Sequence, residues 1–403
     1  MQYKGDNMLG IKRSNRSALL RILHEQGWLS RKRLAEAMNL TPAAISKITG
    51  DMLEEGLIVE GKSLESSSAG RREIALNINA KYRCALGLFI NLRQVILSAT
   101  WLDGSVIFSE EIEIEPASNA EALAESLSKR ILELVEAYSI PKSSVLGIGI
   151  AVRGITSADG RTVKNSFGAL DSLDCPLAQL VEHYSGLPVI MANNVRSLLA
   201  AHIFMHCGND FRSRFFLRCE YGIGASLSID GKIWHGGSER CAEIGHIPTP
   251  FAGSKKCSCG KTGCLETVAS PASILEDSKL AMCKEDTPFL WNLSKNKSEI
   301  TLNDVFTAAM SGDKPISAIV ERAVDSLAIA LKGVIGIIDP EEIVLYGRTF
   351  DNSYYYSLLI KKMCEGEDPL INTEIRKSQF NHLLENKAAC LLQVDDFIIN
   401  GGL

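Results

Sequence analysis

The sequence has no long uninterrupted apolar segment. Of its 403 residues, 46% are hydrophobic and 23% are charged. No apolar run reaches the roughly 18 to 20 residues that a membrane-spanning helix requires. The N-terminal stretch MQYKGDNMLGIKRSNR also lacks the apolar core of a secretory signal. These two absences predict a cytoplasmic protein with no membrane insertion, and the length allows two or three domains.

The sequence also shows little sign of a disulfide framework, although it contains 11 cysteines. Most are scattered singly along the chain, and cytoplasmic thiols stay reduced. We therefore expect the scattered cysteines to be ordinary packing residues. They are Cys84, Cys175, Cys207, Cys219, Cys241, Cys283, Cys364 and Cys390.

The other three cysteines fall within eight residues, in the stretch EIGHIPTPFAGSKKCSCGKTGCLE at 243–266. Three thiolates and one imidazole suit tetrahedral Zn²⁺, and Gly260 and Gly263 allow so short a loop to surround one ion. Four protein ligands leave no position for water, so the pattern predicts a structural zinc. The alternative is that the cysteines are buried small apolar side chains. The four candidate ligands are His246, Cys257, Cys259 and Cys264.

The pattern E-x-G-H followed by C-x-C-G-x-x-G-C-x-E resembles the signature of the ROK family. Its members are sugar kinases and sugar-responsive transcriptional repressors, including N-acetylglucosamine- and xylose-type repressors. The resemblance implies an α/β body with the actin-like (ribonuclease-H-like) two-lobed sugar-kinase fold. It also implies that Glu243, His246 and Glu266 hydrogen-bond a sugar, with His246 using its other nitrogen on zinc.

The first 79 residues differ in charge from the rest of the chain. They contain 12 Lys and Arg against 9 Asp and Glu, a net +3, so the remainder carries −8 of the overall −5. The spacing predicts a helix over 13–25 ended by Gly27, a second helix capped by Ser30, and a third capped by Thr41. Two strands follow, at 57–59 and 71–76. This order resembles a winged helix-turn-helix and favours nucleic-acid binding.

The outward face of the third helix is small and polar, as a helix entering a major groove requires. Arginines beside Gly70 in the following Ser-rich stretch could enter a minor groove, or could simply lie in a solvated hairpin tip. Thr49 is also predicted to face outward. A helical bundle for protein contacts is the alternative for the whole module. The predicted DNA-contacting residues are Thr41, Ala43, Ala44, Ser46, Lys47, Arg71 and Arg72.

Several positions depart from the kinase pattern that the resemblance supplies. ROK kinases have D-x-G-x-T in the first hairpin, where this chain has Phe89, Asn91 and Arg93. Glu220 replaces the first glycine of a G-x-G-I-G phosphate loop, and an acid there would repel a triphosphate. Tyr346 and Arg348 replace the smaller residues that are usual beside the nucleotide, and their bulk disfavours ATP. These changes predict weak or absent ATP binding.

The decisive position implied by the resemblance is Asn194, which replaces the aspartate that acts as general base. An amide has no usable proton affinity near neutral pH, so no catalytic residue is predicted and the protein is expected not to be an enzyme. Asn193 and Asn194 can still hydrogen-bond sugar hydroxyls. Alternatively, they form a plain turn between a strand and a helix.

The sequence therefore predicts three domains: the winged helix-turn-helix at 1–79, a first ROK lobe at 80–195, and a second at 196–403 with the zinc loop at 246–264. Its predicted function is regulation of transcription, most simply repression of carbohydrate-utilisation genes. The expected partners are operator DNA, a sugar or sugar-phosphate effector, and further copies in a homodimer or tetramer. The alternatives are an active ATP-dependent hexose kinase, or a repressor controlled by a protein such as a phosphotransferase-system component. A last helix is predicted over 377–392.

Overall fold

The computed structural model describes residues 8–64, 73–115, 118–206, 211–294, 296–365, 372–378 and 384–403. The chain divides into two compact units, one formed by residues 1–210 with 382–403 and the other by residues 211–381. Within the described residues, every helix is too short or too polar to cross a bilayer. The three-domain division predicted from the sequence remains a prediction.

The N-terminal module is a winged helix-turn-helix, which confirms the predicted fold. Ser30 Oγ accepts a hydrogen bond from the Arg33 backbone N–H at 3.3 Å, and Thr41 Oγ1 accepts one from the Ala44 N–H at 3.3 Å. Both helices therefore begin at the predicted caps. The strands form an antiparallel sheet in the order β1-β3-β2. The elements are α1 (Met8–Gln26), β1 (Leu29–Ser30), α2 (Arg31–Met38), α3 (Pro42–Glu54), β2 (Ile58–Leu64) and β3 (Glu73–Ile78).

The inner face of α3 is larger than predicted. Ile45 and Met52 are fully buried as expected, but Thr49 is also fully buried. The Thr49 hydroxyl donates to the Ile45 carbonyl at 2.8 Å and accepts from Arg31 Nε at 3.2 Å. The prediction that Thr49 faces outward is wrong, because these local bonds satisfy its hydroxyl and allow its methyl group to pack inward.

The rest of the first unit is built on a mixed five-stranded sheet in the order β10-β7-β4-β5-β6. Strands β4 to β6 form an antiparallel meander, and β7 pairs in parallel with both β4 and β10. Parallel pairing requires a crossover, which α4 and α5 supply. The elements are β4 (Cys84–Ile90), β5 (Gln94–Trp101), β6 (Val106–Glu113), α4 (Ala120–Ala137), β7 (Val145–Val152), β8 (Ile155–Thr156), β9 (Val163–Asn165), α5 (Leu177–Ser185), β10 (Val189–Asn193) and α6 (Asn194–Met205).

The second unit contains another five-stranded sheet, in the order β13-β12-β11-β14-β15. The long apolar helix α11 packs into its core, and β14 follows the Pro340 turn. The elements are β11 (Ser213–Cys219), β12 (Ile223–Ile229), β13 (Lys232–Ile233), α7 (Glu266–Ala269), α8 (Pro271–Ala281), α9 (Pro288–Leu293), α10 (Leu302–Ser311), α11 (Lys314–Ile338), β14 (Glu342–Tyr346), α12 (Arg348–Asp351), α13 (Ser353–Cys364) and β15 (Glu374–Lys377).

The last helix, α14 (Glu385–Ile399), belongs to the first unit, where it packs against β4 and β7. The predicted helix over 377–392 is therefore wrong at its start, since Lys377 ends strand β15. Glycines in the sheet make room for α14. A Cβ at Gly149 would lie 1.7 Å from the Ala389 carbonyl oxygen, and a Cβ at Gly87 would lie 2.7 Å from Cys390 Sγ. The helix backbone thus rests almost directly on the sheet.

Candidate functional site

The Cys-rich segment of the second unit is a tight loop held by its own backbone. Cys257 N–H donates to the Lys261 carbonyl at 2.8 Å, and Gly263 N–H donates to the Lys255 carbonyl at 3.0 Å. Gly260 and Gly263 have φ angles of 87° and 78°, a region that favours glycine. These turns direct the cysteine side chains toward one point.

The four predicted metal ligands come together at that point. Their ligand atoms all lie within 4.8 Å of one another. Cys259 Sγ is 3.7 Å from Cys264 Sγ, and Cys257 Sγ is 3.5 Å from His246 Nδ1. Around a tetrahedral zinc, bonds of about 2.3 Å to sulfur and about 2.0 Å to nitrogen place the ligand atoms roughly 3.5 to 3.8 Å apart. The donor set and its spacing therefore fit a zinc ion.

The environment of the thiols is consistent with a site completed by a cation. Burial, with hydrogen bonding to Cys259, raises the pKa of the Cys264 thiol to about 12. Burial also raises the pKa of Cys257, whereas the pKa of Cys259 is lowered, because its hydrogen bonds and the Lys261 charge outweigh its burial. A divalent ion binds thiolates, so it would replace the protons of the thiols on binding. The cluster is thus a plausible metal site.

A lysine inside the loop, which the sequence analysis missed, anchors it to neighbouring helices. Lys255 Nζ lies 2.5 Å from Asp277 Oδ1, and Arg322 Nη2 lies 3.3 Å from Asp277 Oδ2. Asp277 is on α8 and Arg322 is on α11, so these ion pairs join the loop to the helical layer. The neighbouring lysines in SKKCSCGK give no signal that distinguishes Lys255.

The predicted sugar-binding residues of the second unit flank the metal site. His246 Nε2, the nitrogen opposite Nδ1, lies 3.9 Å from Glu243 Oε2. Glu266 Oε2 accepts the Ile223 N–H at 2.9 Å. A Cβ at Gly222 would lie 2.4 Å from the same oxygen, so the glycine is needed for this approach. The loop therefore fixes both carboxylates beside it, while their contact with a sugar stays a prediction.

The two predicted sugar-binding asparagines of the first unit have different surroundings. Asn193 caps α6, because its Oδ1 accepts the Val195 N–H at 2.9 Å and its Nδ2 donates to the Gly154 carbonyl at 2.6 Å. Asn194 is only 3% exposed and is the first residue of α6. Asn193 thus serves the turn, while the binding of a sugar by either asparagine stays a prediction.

The positions that depart from the kinase pattern also have definite contacts. Phe89 is fully buried in β4. In the second unit, Glu220 Oε1 accepts the Arg348 N–H at 2.5 Å, and Glu220 Oε2 lies 3.8 Å from Arg348 Nε. Two residues predicted separately to disfavour nucleotide are therefore paired with each other. They are 128 positions apart, and no local pattern predicts their pairing.

In the winged helix-turn-helix, the start of α3 is accessible. Thr41, Ala43, Ser46 and Lys47 are exposed, and Ala44 is half-buried. The remaining predicted DNA contacts, Arg71 and Arg72, lie outside the described residues. The predicted contacts that lie among the described residues form one small, polar helix face with Lys47 as its cation.

Comparison with known proteins identifies the family of this chain. The ROK family profile matches residues 100–382. The chain belongs to the ROK family. The resemblance inferred from the E-x-G-H and Cys-rich motifs is therefore confirmed, and the Cys₃His cluster forms a plausible zinc site typical of ROK proteins.

Similar ROK proteins include both regulators and kinases. The chain is 26% identical to the xylose repressor of Caldicellulosiruptor bescii over 375 residues, which cover 93% of this chain and 91% of that protein. A crystal structure of a ROK family transcriptional regulator, described as a homologue of Escherichia coli MLC, is 25% identical with a TM-score of 0.81, covering 97% of this chain and 98% of that one. A ROK glucokinase from Streptomyces griseus, solved with glucose and AMPPNP, is 20% identical with a TM-score of 0.64, covering 77% and 98%. The similarity to the regulator thus extends over nearly the full chain.

Proposed function

We propose that this ROK protein is a sugar-responsive, DNA-binding transcription regulator that represses carbohydrate-utilisation genes. One observation carries the proposal: a winged helix-turn-helix precedes the ROK body and exposes the start of α3. Similarity to a xylose repressor over 93% of the chain supports the same function. The small side chains at the start of α3 allow close approach to base edges, so we call α3 the recognition helix.

The regulator would act as a homodimer or tetramer on a near-palindromic operator. Two recognition helices would then enter successive major grooves about 34 to 36 Å apart. The effector would be a sugar or sugar-phosphate bound by Asn194, Glu243, His246 and Glu266, with Asn193 holding the turn. Effector binding and operator binding would weaken each other if each favours a different arrangement of the DNA-binding module. The coupling free energy between two such sites is typically about 1 to 3 kcal/mol.

The zinc ion would have a structural role. His246 Nδ1 and the three thiolates would hold it, and bound zinc would supply rigidity to the loop that carries Glu243 and Glu266. An asparagine at position 194 is compatible with ligand binding without catalysis, since an amide can donate and accept hydrogen bonds but cannot take up the sugar hydroxyl proton.

The proposal is tested by DNA binding with candidate effectors. Labelled duplexes from upstream of the gene and its neighbours are titrated with the purified protein at stated salt, because phosphate contacts make affinity strongly salt-dependent. Aldoses, amino sugars and their 6-phosphates are then added one at a time. We expect specific binding that one of these compounds releases. Binding that none affects would favour control by a protein, such as a phosphotransferase-system component.

The recognition helix offers a direct mutational test. We expect Lys47→Ala to weaken operator binding about tenfold. The slope of log affinity against log salt concentration should also fall by about one, the amount for one phosphate contact. Lys129→Ala removes the same charge from an exposed position on α4 and should leave affinity unchanged. The comparison uses fluorescence anisotropy at several salt concentrations. Equal affinities for the parent and Lys47→Ala would refute the assignment of this helix face, and Arg71→Ala tests the predicted second contact in the same assay.

The absence of kinase activity is a separate prediction. We expect no ADP release from ATP with any sugar of the panel in a coupled assay. Loss of a general base lowers rates by typically 10² to 10⁴-fold, and the Glu220–Arg348 pair adds an obstacle to phosphate binding. Asn194→Asp alone should not restore turnover for the same reason. Turnover by the parent that Glu266→Gln removes would instead establish a hexose kinase with a DNA-binding domain.

A further inference from the structure

Arg16 of α1 is a fully buried cation that contacts two distant parts of the first unit. Its Nη1 and Nη2 donate to the Glu55 carboxylate at 2.8 and 2.5 Å, and its Nε donates to the Gly401 carbonyl at 2.7 Å. A guanidinium stays protonated, so its burial is costly unless these partners are all present. The three bonds therefore require one relative placement of Glu55 and Gly401.

The partner on one side is the end of the recognition helix. Glu55 is the residue that caps the C-terminus of α3, and its backbone N–H donates to the Asp51 carbonyl at 3.1 Å. Because the bidentate contact fixes both the position and the plane of the carboxylate, it limits rotation of α3 against α1.

The partner on the other side is the end of α14. Gly401 N–H donates to the Ile398 carbonyl at 3.0 Å, and Gly402 N–H donates to the Phe397 carbonyl at 2.9 Å. With Gly401 at a φ of 73°, this is a Schellman motif, which turns the chain sharply and presents the Gly401 carbonyl to Arg16. A Cβ at Gly401 would lie 2.8 Å from the Arg13 carbonyl oxygen, so the turn is pressed against α1.

Helix α14 is in turn fixed to the ROK sheet. Its backbone lies against Gly149 of β7, and Gln393 Nε2 donates to the Ile148 carbonyl at 3.0 Å. A continuous series of direct contacts thus leads from the sheet through α14 and Arg16 to Glu55 on α3.

We propose that Arg16 is a positioning residue that sets the orientation of the recognition helix relative to the ROK sheet, and thereby the half-site spacing that a dimer recognises on DNA. This inference rests on the proposed function. Arg16 does not itself touch DNA in this role. Its contacts hold the module at one angle, so that two recognition helices match only one separation of half-sites.

The test measures spacing preference apart from affinity. The full-length parent first selects binding sites from a random duplex library, and the selected half-sites are then placed at a series of spacings. We expect the parent to bind duplexes of one spacing with at least about fivefold higher affinity than the others, which is the lower end of the usual range for coupled sites. Glu55→Gln and Arg16→Lys should recognise the same half-site sequence, but their preference for one spacing should fall to about twofold or less.

Asp51→Asn is the matched control. It removes the Lys12–Asp51 ion pair of 2.9 Å, which also joins α1 to α3 but involves no residue of α14 or of the Gly401 turn. This variant should keep the spacing preference of the parent. An equal loss of affinity at every spacing in the Arg16 and Glu55 variants, up to complete loss, would show a purely structural role and overturn the inference. Failure of the parent to select any sequence would refute the proposed DNA binding, and the inference with it.

Discussion

Replacing Cys264 by serine is expected to abolish metal binding by the loop at 246–264. Cys264 is 1% exposed, and its sulfur is 3.7 Å from Cys259 Sγ. A serine hydroxyl is a poor ligand at neutral pH, and three remaining donors leave the ion open to water and to chelators. Zinc content should fall from about one ion per chain in the parent to none after dialysis against a chelator.

The loss of metal should also loosen the protein around the loop. Structural zinc contributes its binding free energy to folding, about 10 to 16 kcal/mol in zinc-finger peptides. Here the Lys255–Asp277 pair and the helices of the second unit retain part of the structure, so we expect a local effect. Amide hydrogen exchange over 246–266 should accelerate strongly, while exchange in β4 and β7 should not change.

Cys364→Ser serves as the control, since Cys364 is an exposed thiol on α13 outside the cluster. It should leave both metal content and exchange at the parent level. Cys259→Ser should behave like Cys264→Ser and should also abolish the sugar response of DNA binding, because the loop carries Glu243 and Glu266. Full zinc content in Cys264→Ser would refute the ligand assignment, and a normal sugar response without metal would refute the structural role of zinc.

Local signals explain which parts of the molecule the sequence could predict. Ser30, Thr41 and Gly27 act on backbone groups within four residues, so they locate the helix ends of the module directly. The three cysteine ligands are equally predictable, because they lie on one short loop, from Cys257 to Cys264, whose own turns bring them together. His246 is farther away in the sequence, but it lies in the same stretch, 243–266, and completes the Cys₃His donor set that suits zinc.

Contacts between distant residues could not be predicted in this way. Strand β15 was missed because Glu374, Arg376 and Lys377 are good helix formers, and charged side chains are common on strands at the edge of a sheet. Neither partner in the Glu220–Arg348 or Arg16–Gly401 contacts carries a sequence signal for the other. Thr49 was assigned to the outer face because its polarity suggested solvent, although its hydroxyl bonds within the helix.

The glycines of VLGIGIAV are the clearest example of a contact between distant residues that could not be predicted from the sequence. The segment forms the buried strand β7, and its glycines also determine which helix lies on it. Gly149 has no side chain to separate β7 from Ala389, so α14 can approach to backbone distance. This requirement appears only once α14 is placed, because the two segments are about 240 residues apart in the sequence.

Gly149→Ala is therefore expected to destabilise the first unit by about 3 kcal/mol, the upper range for overpacking in a core. The added Cβ would lie 1.7 Å from a backbone oxygen, so rotation of a side chain cannot relieve the clash. Either β7 or α14 must shift. Urea unfolding followed by circular dichroism should show the loss of stability. Hydrogen exchange should locate it in β4, β7 and α14 and not in the second unit.

Gly50→Ala in α3 provides a control whose expected effect on stability has the opposite sign. No heavy atom would lie within 4 Å of its added Cβ, and alanine is favoured over glycine in a helix by up to about 1 kcal/mol. It should stabilise the same unit slightly. If Gly149→Ala kept the parent's stability, α14 could not be seated on the sheet as described, and the route from the sheet through Arg16 to the recognition helix would lose its first contact. If the expected loss is found, spacing preference on DNA should weaken in Gly149→Ala as well, because a displaced α14 moves the Gly401 carbonyl away from Arg16.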